Sequence, residues 1–342
     1  MSKRVTLAQI AQRTGVSVTT VSFALNDRPN TRISPDTTRL IKEAAAEMGY
    51  TPDPVARGLR TGKTETIGFI SDEVTVTRYT SAMIRGVLDA GDERDHLVLM
   101  AECGDHPDRL QKALTTMRSR RIDGLLIAPM RARRVDLPPI PKSLPTFVVN
   151  GHAHTHPSVL PDEHTAGSTA IEHLLANGHR RIAFIGRSAA HLDPRVSITI
   201  PRRLAGIDAG MAKAGLSFEC EIHGADWEPE LGYGGALEIF DTHRVTAILT
   251  ANDRIAWGVF QAAQTRGIAI PEQLSVMSFD DEQLASYLRP RLTTMQLPYL
   301  QMGRLAVEAL LDNKTAKGRE SEILVPMPLI ERGSVRQNGN AT

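Results

Sequence analysis

The sequence predicts an α/β protein: an all-α N-terminal head followed by a core of two lobes, each a doubly wound parallel sheet. Three observations lead there. The first fifty residues hold three short amphipathic helical patterns and no strand pattern. From residue 65 onward, short apolar runs alternate with helical stretches, and the alternation occurs twice over, as it does where parallel strands are joined by crossover helices. The charge is also divided. Residues 1–63 hold ten Lys/Arg and five acids, a net +5, while the remainder holds 30 and 34, a net −4, within a 342-residue chain of net charge +1. A basic head on a mildly acidic body is an electrostatic footprint for a polyanion.

The head is read from Thr6–Asn26, TLAQIAQRTGVSVTTVSFALN. Thr6 can cap a first helix, with Gln9 completing a capping box, and Leu7, Ile10 and Ala11 give that helix one apolar face. Gly15 lets the chain turn through positive φ. Ser17 caps a second helix whose Val21, Ala24 and Leu25 share the inner face, and small Ala11 lets the pair cross closely. Val18, Thr19, Ser22 and Phe23 are expected on the opposite face, where the second helix of a DNA-binding helix-turn-helix enters the major groove. An ordinary helical hairpin is the bland alternative, against which stands the large ring of Phe23 on a face that would otherwise be solvent. Ser34 then caps a third helix with Pro35 at its first position, a stripe of Leu40, Ile41, Ala44, Ala45 and Met48, and Gly49 at its end.

Residues 51–64 read as a linker. Pro52 and Pro54 bar a continuous helix, and Val55–Arg60 is too short to hold a helix unaided in water. Arg57, Arg60 and Lys63 make the segment basic, while Leu59 is an unpartnered apolar side chain on it. A basic helix that folds only on contact, with one leucine, suits the minor groove, where an apolar wedge opens a base step. Ala56 and Arg57 are the neighbouring minor-groove candidates.

In the core, strands are expected at 66–70, 96–100, 124–128 and 146–149, then at 181–185, 247–250 and 275–279. Helices are expected at 81–90, 108–118, 165–176, 202–214, 232–240, 254–265 and 300–312. Ligands of such sheets bind off the carboxyl ends of the strands, here between the lobes. Trp257 reads as core, and the polar 336–342 tail as disordered.

Several function classes are disfavoured. Cys103 and Cys220 stand far apart, which suggests free thiols rather than a disulfide or metal site. The N-terminus lacks a secretory apolar region and no apolar run reaches membrane-spanning length, so a cytoplasmic protein is expected. GxSxG, P-loop and HExxH motifs are absent, and the side chains of consecutive Asp280 and Asp281 would diverge on an extended chain, so neither an enzyme nor a cofactor is expected. His152, His154 and His156 alternate in a loop without acids or cysteines beside them, a weak metal signature. A solute-binding protein or a sugar-acting enzyme with the same core is the rival reading, but neither has a use for residues 1–63.

The stretches TLAQIAQRTGVSVTTVSFALN and ISPDTTRLIKEAAAEMGYTPDPVARGLRTGKTETIGFI resemble the lactose/galactose-repressor family of bacterial transcription regulators. LANGHRRIAFIG, PRRLAGI, TAILTANDRIAWGV, IPEQLSVMSFDD, PRLTTMQ and LIERG continue the resemblance in family order along essentially the whole chain. It implies a homodimer that binds a palindromic operator in double-stranded DNA, and a small effector, a sugar or sugar derivative, in the cleft of a periplasmic-binding-protein-like core. It implies a helix-turn-helix head over 1–50, a hinge-helix linker over 51–64 and a core over 65–335. Lobe 1 is then about 65–160 plus 296–325, and lobe 2 about 163–290 plus 326–335. Carried over by position, Val18, Thr19 and Phe23 match base-reading places, Ser17, Thr20, Ser22 and Asn26 match phosphate-holding places, and Leu59 matches the minor-groove leucine. Many members carry Arg where this chain has Phe23, which can offer only apolar contact, for example to a thymine methyl. Asp162, Arg203, Asn252 and Asp280 fall where the family contacts its effector, and Tyr79 and Trp227 where rings can lie against a sugar face. Such carboxylates, amide and guanidinium suit paired hydroxyls. Leu297, where some sugar-binding members have a polar group, and the loop 72–80 depart from the pattern.

Overall fold

The structure, a computed structural model, describes residues 5–26, 31–50, 62–73, 80–104, 106–312 and 321–338. Contacts along the chain separate two compact units, Met1–Thr64 and Glu65–Thr342.

The first unit contains α1 (Leu7–Thr14), α2 (Val18–Leu25) and α3 (Pro35–Glu47). The capping box of Thr6 and Gln9 forms, and Gly15 closes α1 at φ +71° while donating its N–H to the Ala11 carbonyl. Ser17 and Ser34 accept the backbone N–H of Thr20 and Thr37. Ile10, Ala11, Val21, Ala24, Ile41, Ala44 and Ala45 form one small core, with Leu7, Leu25 and Met48 packed around it. Leu40 does not join it: the stripe of α3 begins at Ile41, and Leu40, one residue off that face, is 49% exposed.

The second unit holds two six-stranded sheets. The first has the order β13-β7-β5-β3-β1-β2 and is parallel throughout. Its strands are β1 (Thr66–Ser71), β2 (Leu97–Glu102), β3 (Gly124–Ala128), β5 (Thr146–Val149), β7 (Ser158–Pro161) and β13 (Glu322–Val325). Helices α4 (Thr80–Asp92), α5 (Pro107–Ser119) and α11 (Tyr299–Leu311) flank it, with α4 packed on α11. The second sheet has the order β14-β12-β11-β10-β8-β9, with only β14 antiparallel. It is built from β8 (Ile182–Arg187), β9 (Cys220–His223), β10 (Ala247–Thr250), β11 (Ser275–Asp280), β12 (Thr293–Gln296) and β14 (Leu329–Ile330). Around it lie α6 (Glu163–Ala176), α7 (Ile200–Lys213), α8 (Pro229–Thr242), α9 (Asp253–Arg266) and the short α10 (Gln283–Tyr287). Two-residue strands β4 (Arg133–Arg134) and β6 (Gly151–His152) pair beside the first sheet.

Each sheet has its own apolar core. Among the described residues the chain passes between them three times, from β7 into α6, from β12 into α11 and from β13 into β14. Short polar links join them elsewhere. Ile198 N donates to Ala132 O at 2.7 Å, Arg134 N donates to Pro194 O at 2.8 Å, and Arg202 of α7 grips Glu322 of β13 through two bonds of 2.8 Å.

Two further expectations fail. Trp257 is 39% exposed, because the inner face of α9 is taken by the smaller Ile255, Ala256, Val259 and Ala262. Residues 336–338 of the tail are ordered, and 339–342 lie outside the described residues: the Arg336 carbonyl lies 3.1 Å from His179 Nε2, and Asn338 N donates to Asn177 O at 2.8 Å.

Candidate functional site

Two surfaces carry the residues singled out above, one on each unit. On the head, α2 presents its N-terminal turn. Val18 is 46% exposed and Thr19 is exposed, whereas Val21 and Ala24, one turn on, are buried. Thr20, Ser22 and Phe23 are half-buried, so the Phe23 ring is not fully presented to solvent. Ser17 spends its hydroxyl on the cap, 2.9 Å from Thr20 Oγ1, and Asn26 closes the helix by donating Nδ2 to Ser22 O at 2.6 Å. Val18 and Thr19 thus stand exposed at the start of a capped helix, with the hydroxyls of Ser17, Thr20 and Ser22 and the amide of Asn26 on the same helix. Ala56, Arg57 and Leu59 lie outside the described residues, as does Tyr79.

On the core, Asn252 and Asp280 lie at the carboxyl ends of β10 and β11, and Trp227 in the segment after β9. Asp162 caps α6, accepting Thr165 N at 3.2 Å. The next residue, Glu163, occupies the first turn of α6, where the helix dipole favours a carboxylate, and is 1% exposed. Arg203, in the first turns of α7 and 2% exposed, lies across from it. Its Nε and Nη2 donate to the two Glu163 oxygens at 2.6 and 2.8 Å, Nη1 donates to Ala251 O at 2.6 Å, and Nη2 also reaches Asp280 Oδ1 at 3.2 Å. The guanidinium carbon sits 4.5 Å from the centre of the Phe279 ring. The close approach of α6 and α7 is enforced by Gly167 and Gly206: a Cβ on Gly206 would lie 2.0 Å from His164 O.

Asp280 ends β11 at φ +106°, and Asp281 follows at +54°. The two carboxylates part company, Asp280 toward Arg203 and Asp281 toward Arg332 (2.6 Å) and Gln296 (2.7 Å). Burial raises the Asp280 pKa to about 6, against the pull of Arg203, with Glu163 and Glu282 adding to the rise. Asp253, fully buried at the start of α9, is pushed well up by burial and by Asp280; it accepts from Thr294 Oγ1 and Glu282 N. Asn252 caps α9 through Ile255 N at 2.9 Å and donates Nδ2 to Trp227 O at 3.0 Å. Trp227 is half-buried, its Nε1 bonded to Gly186 O, and the His191 ring lies 4.4 Å from it.

Arg203 and Asp280 are therefore in direct contact. Asn252 and Trp227 form a second pair, tied to the first because Arg203 binds the carbonyl of Ala251, next in the chain to Asn252. Asp162 uses one carboxylate oxygen to cap α6. Arg203, expected to offer a fork of donors, has most of that fork occupied within the protein. Glu163 went unnoticed in the sequence, although a carboxylate beginning a helix is a visible signal. His191 gave no signal. Its Nδ1 is buried without a hydrogen-bond partner, and burial lowers its pKa, helped by the Arg203 charge. Leu297 packs on the core of lobe 2.

Elsewhere, Cys103 and Cys220 carry reduced thiols, and Cys103 Sγ donates to Ser71 O at 3.1 Å. The rings of His152 and His154 meet edge to face at 5.3 Å, and among the described residues no group of three or more His, Cys, Asp or Glu is placed to hold a metal. No described helix is long and apolar enough to cross a membrane.

Comparison with known proteins places both units in described families. Residues 6–53 match the family described as bacterial regulatory proteins, lacI family, and residues 171–335 match the periplasmic binding protein-like domain. The ribose operon repressor of Escherichia coli is 30% identical over 342 residues, covering 96% of this chain and 99% of that protein. The HTH-type transcriptional repressor PurR of Erwinia tasmaniensis is also 30% identical, covering 96% of each chain. In fold, the chain superposes on the lac repressor dimer bound to operator and the anti-inducer ONPF with a TM-score of 0.75, at 23% identity, covering 98% of this chain and 100% of that one. A DNA-binding helix-turn-helix head joined to an effector-binding core makes this chain a transcriptional regulator, and it belongs to the lacI family of bacterial regulatory proteins.

Proposed function

We propose that the chain acts in the cytoplasm as a homodimeric repressor whose grip on a palindromic operator is set by a small carbohydrate held between the two lobes of its core. The observation that carries the reading is the two-sidedness of α2, with Val21 and Ala24 buried and Val18 and Thr19 exposed one turn earlier on a basic head. Val18, Thr19 and Phe23 then meet base edges in the major groove, with Phe23 limited to apolar contact. Ser17, Thr20, Ser22 and Asn26 hold phosphates. The 51–64 segment serves as a hinge, with Leu59 as the minor-groove wedge flanked by Ala56 and Arg57. Residues 1–50 are the head and 65–335 the core.

In the core, Asp162, Arg203, Asn252, Asp280, Trp227 and Tyr79 line the effector site. A cleft between two separately packed lobes, crossed by three connections, favours the coupling: a ligand that draws the lobes together changes how two hinges are held, and DNA must in turn change ligand affinity by the same factor. Dimerisation is supported by apolar side chains left in solvent. Leu88, Leu97, Met100 and Leu300 lie on lobe 1 and Trp257 and Tyr287 on lobe 2, and Leu97 and Met100 belong to edge strand β2. The relatives fit: one regulates a ribose operon, and a structural neighbour is a cellobiose complex.

The test is a thermal-shift screen of the purified chain against sugars, followed by operator binding with each stabilising sugar, since a cleft ligand raises Tm by mass action. A sugar that raises Tm and changes DNA affinity is expected. Sugars that raise Tm with no effect on DNA affinity would contradict the coupling, and turnover of any of them would revive the enzyme reading.

A further inference from the structure

The charge of the cleft wall narrows what can bind there. Arg203 is the cation set deepest in lobe 2, and a phosphate or carboxylate would ordinarily be captured by such a fork in bidentate fashion. In this chain the two N–H groups best placed for that grip already face Glu163, at 2.6 and 2.8 Å, and a third is closed by Ala251 O. Glu163 is not a swinging surface acid. It is 1% exposed, anchored at the N-terminus of α6, and backed by the glycine-dependent contact of α6 with α7. Asp280 adds a second carboxylate on the same guanidinium, so the cluster carries more negative than positive charge when both acids are ionised.

The neighbouring cations do not reverse the balance. Arg187 is paired with Asp208 and Glu221, Arg254 with Glu228 and Glu282, and Arg332 with Asp281. His191, its pKa lowered by burial, is neutral at neutral pH. What the wall does offer, among the described residues, is an acceptor: an Asp280 carboxylate that is 13% exposed and has one oxygen on Arg203.

Resting on the reading of this cleft as the effector site, we propose that Glu163 closes it to anions, so that the effector is an uncharged, hydroxyl-rich molecule and phosphate esters and sugar acids are excluded. A hydroxyl donates to Asp280 at no charge penalty. An anion must either expel Glu163 from Arg203 or settle beside two carboxylates, and each route costs several-fold to many-fold in affinity.

The experiment uses the full chain and three probes: inorganic phosphate, glucose 6-phosphate and glucose, read by thermal shift and calorimetry. For the native protein, neither anion is expected to raise Tm in a saturable way. In Glu163→Gln, inorganic phosphate should bind about tenfold tighter or more, and Glu163→Gln with Arg203→Met should lose that gain. Glu163→Asp, which keeps the charge, should remain closed to phosphate. Saturable binding of either anion to the native protein, abolished by Arg203→Met, overturns the proposal, as does a folded Glu163→Gln that gains no phosphate affinity. Should Glu163→Gln fail to fold, the native protein alone decides. If glucose and the wider sugar screen all fail while Glu163→Gln still gains phosphate, anion exclusion stands and the carbohydrate reading falls.

Discussion

Removing the guanidinium of Arg203 stresses the centre of lobe 2 directly. Arg203→Met keeps most of the side chain's bulk over Phe279 but strips Glu163 of its two hydrogen bonds of 2.6 and 2.8 Å and leaves that carboxylate 1% exposed with no cation beside it. Breaking a buried pair from one side costs about 3–5 kcal/mol. At roughly 2–4 °C per kcal/mol for a body of 150–250 residues, Tm should fall by about 6 °C or more. Urea unfolding followed by tryptophan fluorescence is the assay, because both tryptophans, Trp227 and Trp257, lie in lobe 2. A variant within about 0.5 kcal/mol of the native protein, the scale of an ordinary surface substitution, would refute the view that this pair organises the lobe.

Asp280→Asn probes the same cluster through linkage: the native carboxyl is raised to about 6, so its contribution is lost as pH climbs from about 4 to 6, and the variant should gain stability relative to the native protein across that window in parallel urea titrations. Gly206→Ala would push a methyl to 2.0 Å from His164 O; overpacking of about 1–3 kcal/mol should appear as a lower Tm and a weakened cleft, whereas an unchanged Tm would mean that α6 and α7 separate without cost. Leu59→Ala should sharply weaken operator binding and leave sugar-induced thermal shifts intact, and equal operator affinity would remove the wedge. Phe23→Arg should move the preferred half-site toward guanine in a binding-site selection; an unchanged preference would show that this position does not read bases.

Much of the architecture was legible because it depends on local patterning. The capping box at Thr6 and Gln9, the caps at Ser17 and Ser34 and the strands at 124–128, 146–149 and 247–250 all appear where the residues indicate. Several strands were missed, β9 and β12 among them. β9 reads CEIH and β12 reads TTMQ, without an apolar run, and the burial of β12 comes from neighbours far along the chain: the Thr294 hydroxyl, fully buried, meets Asp253. Leu40 and Trp257 show the converse, since an apolar residue at helical spacing is buried only if a partner element covers its face. At the site, a sequence shows which polar residues end strands or begin helices, but not which of them satisfy one another. Asp162 and Asn252 prove to be caps, and Arg203 proves to be held by Glu163, 40 positions away.

The central claim is that a duplex-reading head is governed by a hinged two-lobed receptor, and selection from random DNA by the full-length chain at low ionic strength tests it most directly. The account expects an enriched inverted repeat whose half-sites change when Val18, Thr19 or Phe23 is replaced, and whose affinity falls steeply with salt as the basic head releases counterions. Recovery of no preferred sequence, or of one indifferent to those three residues, would contradict it.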